Sequence, residues 1–444
     1  MTTTRIDGLT LLTMDGPAAD PVGSRHGSLR IRGTRIDAIG DLAPLPNESA
    51  LDGRGLVALP GFVQGHLHFC QTLFRGLADD RALMPWLETR IWPLEAAHDA
   101  ASVRASARLS LVELLRGGTT CVQVMESVRH AEETFVALRG LGMTAIAGNC
   151  LMDVGADRGP SNLATSTQEA LEISDDLRRA FHHPSQGMHY AVSPRFVLSC
   201  SEELARSAAA YARQHGLHIH THANEHAAEV ELVRKRFSRE YIQVLADQGL
   251  LGPKTGLAHC VHTNPHERDL IAASGTAVLH CPSANLKLGS GIAPIAEYAQ
   301  RGIKVALGAD GAACNNKLSA LTELRQAALL QSLAVGPGRW PAAAALVAAT
   351  LGGAQALGFS HELGSLTPGK RADVVLMDLC ELEPGGDAVS KIVWSADERA
   401  ILHVLIGGRF VVRDRHVLAL DAKDVAAEAA RERMRLLGRA GLAR

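Results

Sequence analysis

The chain has 444 residues, 46% apolar and 21% charged, with a formal net charge of −2. That balance belongs to an ordinary globular protein of one large or a few smaller domains. It excludes the electrostatic footprint of a nucleic-acid or anionic-membrane binder. The eight scattered cysteines contain no CxxC pair and give no sign of a disulfide framework.

The opening MTTTRIDGLTLLTMDG lacks the basic-then-apolar layout of a signal peptide, so a cytoplasmic location is expected. The first stretch, residues 1–59, is β-rich: GSLRIRGTRIDAIG (27–40) alternates apolar and polar residues between turn signals. From residue 60 the pattern changes. Eight short apolar runs recur: ALPGFVQGH, GTTCVQVM, TAIAGNCLM, MHYAVSP, GLHIHTH, TGLAHCV, TAVLHCP and IKVALGAD. Between them lie helix-like stretches such as 102–118 and 201–216. Strands alternating with helices in this number predict an α/β fold, a (β/α)8 TIM-like barrel over 60–365. Residues 340–360 carry no charge, which invites a transmembrane reading. Their bulk is Ala and Gly rather than Leu, Ile, Phe or Val, and Pro341 stands near the start, so a buried helix is expected.

The β-rich style returns near the end. ADVVLMDL (372–379) and HVLIGGRFVVRDRHVL (403–418) read as strands, the latter folding as a hairpin at Gly407–Gly408. The two β-rich ends, 1–59 and 366–420, are expected to pair into one small β-sandwich domain. Residues 421–444 read as a solvated amphipathic helix with Val425, Met434 and Leu437 as its apolar positions.

In a (β/α)8 barrel the chemistry sits at the C-terminal strand ends. Here the first run ends in His66 and His68, which point to one side of a strand by alternation. The fifth ends in His220, Thr221 and His222, the sixth in His259, the seventh in His280, and the eighth in Asp310. A lone strand-end histidine is more often a hydrogen-bonded structural residue than a ligand. Recurrence at five strand ends points instead to one metal site assembled from several strands.

This pattern resembles the amidohydrolase superfamily, in its mononuclear deaminase branch, over nearly the whole chain. The segment GSLTPGKRADVVLMD (364–378) shares the likeness. The resemblance implies that His66, His68, His222 and Asp310 hold one Zn²⁺, with Fe²⁺ also suited to such ligands. Binuclear members carry a bridging lysine at a strand end; the fourth run here, MHYAVSPRF, has none. HANE places Glu225 three residues after His222, the deaminase arrangement. The implied chemistry is hydrolytic deamination. Glu225 protonates a ring nitrogen, while Asp310 and His259 flank the attacking water and take its proton. His220 and His280 are read as residues beside the site rather than ligands.

Residues 69–95 (FCQTLFRGLADDRALMPWLETRIWPLE), NLKLGSGIAP (285–294) and LGADGAACNN (307–316) are similar to deaminases of 5′-methylthioadenosine, S-adenosylhomocysteine and 5′-deoxyadenosine. That likeness implies that Glu95 takes the ribose hydroxyls; Trp86 or Trp92 is read as a wall of the base pocket. Two positions depart from it. Arg195 stands where those deaminases usually have His, and Gln71 where they often have Met. Both resemble guanine deaminases, in which they contact the carbonyl and ring nitrogens. Asn149 stands about where the nucleoside enzymes have an arginine near the ribose. The expected substrate is an amino-substituted nitrogen heterocycle, first a 5′-modified adenosine. The alternatives are guanine, 8-oxoguanine or a pterin, and a triazine losing chloride or an amine. Relatives of this kind imply a homo-oligomer acting on a small molecule, and the charge balance gives no case for a nucleic-acid or membrane partner. The loop DVGADRGPSN (153–162) follows the third run at the active end and reads as a lid or a plain connection.

Overall fold

The computed structural model describes residues 2–154 and 160–442. One of its two sheets is built from parallel strands in the positions of the eight apolar runs. They are Phe62–His68, Thr119–Glu126, Thr144–Leu151, Met188–Pro194, His218–Ala223, Thr255–His259, Ala277–His280 and Val305–Leu307. Every residue of the first three is buried. Strands covered on both faces carry continuous apolar runs, which is why they stand out in the sequence. Val305–Leu307 pairs with Ala277–His280, and the chain then reaches Asp310–Gly311, which pairs back to Phe62–His68. The last strand thereby returns to the first and closes a barrel.

Gly308 sits at that seam. A Cβ there would lie 2.7 Å from both the backbone N and O of His66. Gly308→Ala should therefore push against the strand carrying both leading histidines. Its expected cost is about 1–3 kcal/mol, as for other overpacked cores, read as a lower denaturant midpoint at unchanged slope.

The helices between strands begin and end where local chemistry allows. Ala100–Arg116 opens on an Asp99/Ser102 capping box, and Pro265–Ser274 opens on Asn264 with proline in its first turn. Glu202–His215 runs from Ser201 to Gly216, which takes φ 63° to end it. Residues 340–360 differ from the single helix expected. They form two short helices, Ala342–Ala348 and Leu351–Ala356, broken at Thr350 (φ −132°, ψ −99°). The Thr350 hydroxyl donates to the Leu346 carbonyl at 2.7 Å. The break seats Gly353 where a Cβ would meet the Cβ of Val63 at 2.9 Å, against the first barrel strand. Among the described residues no helix is long and apolar enough to cross a membrane.

The chain ends share the second sheet, a mixed sheet of nine strands. Its path runs from His416–Val417 through Arg409–Arg413, Ile401–Ile406 and Val374–Asp378 to Leu56–Pro60, Thr3–Leu12, Ser24–Arg32 and Arg35–Gly40. Thr3–Leu12 slips register between Ile6 and Leu9, pairing with Ser49–Asp52 before the slip and Leu56–Pro60 after it. Such a bulge bends a strand. Leu29, Ile31 and Ile36 from one wing share a core with Val374, Leu376 and Leu405 from the other, so the sheet folds over on itself. The expected hairpin forms with φ 53° at Gly407 and 73° at Gly408, Ile406 facing Arg409. Asp414 and Arg415 make a second turn with both φ values positive.

The C-terminal helix Ala422–Arg439 is not a free-standing solvated helix. Its buried stripe is Val425, Ala429, Glu432 and Leu436, while Met434 is 58% exposed. Arg108 pairs with Glu428 at 2.5 Å, and Arg433 and Arg439 donate to the carbonyls of Arg75 and Ala97. The helix thus braces the segment that follows the first barrel strand.

Candidate active site

His66 and His68 face the barrel mouth from one side of their strand, as alternation requires, and both are buried. His68 Nδ1 lies 2.7 Å from the Met125 carbonyl, and His222 Nδ1 lies 2.6 Å from the Arg195 carbonyl. A carbonyl only accepts, so each Nδ1 carries the proton and each Nε2 presents a lone pair. Those two Nε2 atoms stand 3.2 Å apart. Two lone pairs so close repel unless something positive joins them. Asp310 Oδ1 lies 3.2 Å from His66 Nε2 and 3.4 Å from His68 Nε2. His66 Nε2 is buried without a hydrogen-bond partner, and so is His259 Nε2. The donor atoms of His66, His68 and Asp310 converge within 4.8 Å, as do those of His66, His222 and His259. This donor set, imidazole nitrogens plus one carboxylate, fits a divalent transition metal. The backbone is held in the left-handed region at His259 (φ 73°) and Asp310 (φ 60°), a strain that proteins retain chiefly at functional sites.

The other predicted residues fall into place around this centre in different ways. A cavity opens beside it, lined by Gln71, Trp86, Arg195, Phe196, Glu225 and Leu288 among others. Glu225 is 4% exposed, and its Oε1 has no partner. Burial, reinforced by the nearby Asp310 and Glu229 carboxyls, pushes its pKa well above the ordinary carboxylate range. That direction favours the protonated acid. His259 Nε2 lies 3.5 Å from Glu225 and 3.8 Å from Asp310.

Glu95 does not stand free to face the cavity. Its carboxylate accepts from Arg195 Nη1 at 2.5 Å, from Arg195 Nη2 at 3.2 Å and from Gln71 Nε2 at 3.1 Å. Trp92 is buried in the packing behind the wall, and Asn149 Oδ1 accepts from the Tyr190 hydroxyl. His220 Nε2 meets His66 Nδ1 at 2.7 Å, one layer behind the converging donors. His280 is fully buried, and neither of its ring nitrogens has a hydrogen-bond partner. Residues 155–159 of the proposed lid lie outside the described residues.

Several contributors escaped the sequence reading. The carbonyls of Met125 and Arg195 fix two histidine tautomers, and backbone atoms leave no trace in composition. Asn285 Oδ1 accepts from His259 Nδ1 at 2.8 Å; it stands in the NLKLGSG segment already singled out. Glu126 takes the amides of Phe69 and Cys70, each at 3.1 Å, and so holds the turn that leads from His68 to Gln71. His98 secures the same turn by donating to the Cys70 carbonyl at 2.9 Å.

Burial lowers His98 to about 4 and His280 to about 3, so both are neutral in the folded chain. Unfolded histidines titrate near 6.5. As pH falls from there toward 4, the unfolded chain binds protons that the folded chain refuses, and stability drops. The denaturant midpoint should fall over that window, and less steeply in His98→Gln.

Residues 57–411 match the amidohydrolase family, and the chain belongs to it. It is 38% identical over 410 residues to a 5-methylthioadenosine/S-adenosylhomocysteine deaminase of Halobacterium salinarum, covering 91% of this chain and 92% of that one. It is 35% identical to a 5′-deoxyadenosine deaminase of Methanothermobacter thermautotrophicus, covering 95% and 97%. Among solved structures, an adenosine deaminase from Xanthomonas campestris with bound zinc superposes with a TM-score of 0.91 at 28% identity, covering 98% and 99%.

Proposed function

We propose that this chain is a metal-dependent hydrolase that removes the amino group of a 5′-modified adenosine as ammonia, leaving the inosine analogue. The observation that carries the reading is the facing pair of lone-pair nitrogens on His68 and His222, with His66 and Asp310 converging on the same point. The names of the relatives supply the substrate class. In this reading His66, His68, His222 and Asp310 hold one Zn²⁺. Such an ion lowers the pKa of water toward neutrality and so supplies a nucleophile. The chain's own groups do the rest. Glu225 gives its proton to the ring nitrogen next to the attacked carbon, which makes that carbon electrophilic. Asp310 and His259, flanking the attack position, take the proton of the incoming water. The same groups return protons to the departing amine. Leu288, Phe196 and Trp86 keep bulk water off the ring.

Stripping metal with a chelator should abolish ammonia release, and one equivalent of Zn²⁺ should restore it. Full activity in a protein shown to be metal-free would contradict the reading.

One observation favours a second substrate. Arg195 and Gln71 line the cavity, Glu95 is engaged by both, and Gln71 Oε1 has no partner. A guanidinium beside an open amide oxygen complements the C=O and N–H edge of an oxo-heterocycle such as guanine, 8-oxoguanine or a pterin. Assaying ammonia from 5′-deoxyadenosine and guanine side by side separates the two. Turnover of guanine alone would replace the nucleoside reading, and chloride release from a chlorotriazine would replace both.

A further inference from the structure

Glu229 is a buried carboxylate that the scheme above leaves without a task. It is 1% exposed, stands in the first turn of the helix Ala227–Phe237, and borders the cavity. No cation is paired with it among the described residues. Its Oε2 accepts from the backbone amides of Glu225 at 3.1 Å and His226 at 3.4 Å. Its Oε1 accepts from the Tyr241 hydroxyl at 2.6 Å. Tyr241 is fully buried, and its oxygen lies 3.4 Å from the His222 carbonyl and accepts from the Val197 amide at 3.4 Å.

Two buried groups therefore touch the backbone of three segments, and each segment sends a side chain into the site: Phe196 beside Val197, then His222, then Glu225. Burying a carboxylate without a cation is costly unless donors satisfy it. Three donors do so here, and all belong to the frame of the site. A helix N-terminus needs only one such acceptor at this position, and glutamine serves there as well. The extra bond to Tyr241 goes beyond helix capping.

We propose that Glu229 and Tyr241 form a positioning pair that sets the height and angle of the Glu225 carboxyl over the bound ring. The inference rests on the assignment of Glu225 as proton donor. Neither residue touches substrate in this account. They act by holding the Glu225 amide against the strand that carries His222.

The test compares Glu229→Gln, Tyr241→Phe, the double variant and Glu225→Gln, all with zinc loaded and metal content measured. Glutamine keeps an acceptor for the two amides, so the helix start survives. A misplacement of about 1 Å at a reacting group costs on the order of 10²-fold in rate. Each single variant is expected to lose about 10–100-fold in kcat at unchanged KM and unchanged zinc content. The double variant should be no worse than the poorer single, because the pair acts as one unit. Wild-type kcat in both singles beside an inactive Glu225→Gln would overturn the positioning role while leaving Glu225 in place. Zinc loss or a raised KM in the singles would overturn it too, since the pair would then act through His222 or on binding. An active Glu225→Gln would overturn the underlying assignment, and the positioning role with it.

Discussion

Glu225→Gln should lose about 10²–10⁴-fold in kcat, the range set by general acid–base groups, while keeping its zinc and its fold. The substitution preserves shape and removes only the transferable proton. The side chain is 4% exposed, and its Oε1 has no partner. Its pKa is raised, first by burial and then by Asp310 and Glu229, which favours the form that carries that proton. The amide matches the acid in shape and volume, so stability should stay close to wild type. A kcat within a few-fold of wild type would mean the ring is protonated by another group.

The second large effect concerns stability. Arg195→Ala and Glu95→Ala should each destabilise the protein by about 3–5 kcal/mol, the cost of leaving one partner of a buried ion pair uncompensated. Their side chains are 4% and 2% exposed and meet through two contacts. Without Arg195, the Glu95 carboxylate would retain only Gln71 Nε2. The expected contest between a ribose-binding Glu95 and a carbonyl-binding Arg195 therefore cannot be judged from alanine variants alone, because both would report a broken pair. The double change Glu95→Leu with Arg195→Met should recover much of the stability, since apolar side chains of similar volume often replace a buried pair at little cost. Denaturant midpoints check this directly. Single-variant losses well under 1 kcal/mol would mean the pair is solvated in solution.

The barrel was legible because buried parallel strands have to be apolar runs ending in polar residues. His66, His68, His222, His259 and Asp310 could be marked from strand ends alone, and the fold brings their donor atoms together. What stayed hidden was non-local or backbone-borne. Glu95 and Arg195 are 100 residues apart in sequence, and nothing in either segment announces the other. The Arg195 side chain invites a reading as a substrate contact, yet its carbonyl orients His222. In the C-terminal helix Val425 is buried and Leu437 half-buried as expected, but Met434 is exposed, and Ala429 and Leu436 complete the stripe with Glu432. The helix at 340–360 was read as one because Thr350 breaks it through its own conformation and hydroxyl bond, not through a proline.

The most direct measurement is the ultraviolet difference spectrum of 5′-deoxyadenosine mixed with the zinc-loaded protein, with ammonia assayed in the same cuvette. The account predicts conversion of the adenine spectrum to that of hypoxanthine, with one ammonia released per base converted. An unchanged spectrum from a protein shown to hold its zinc would contradict it.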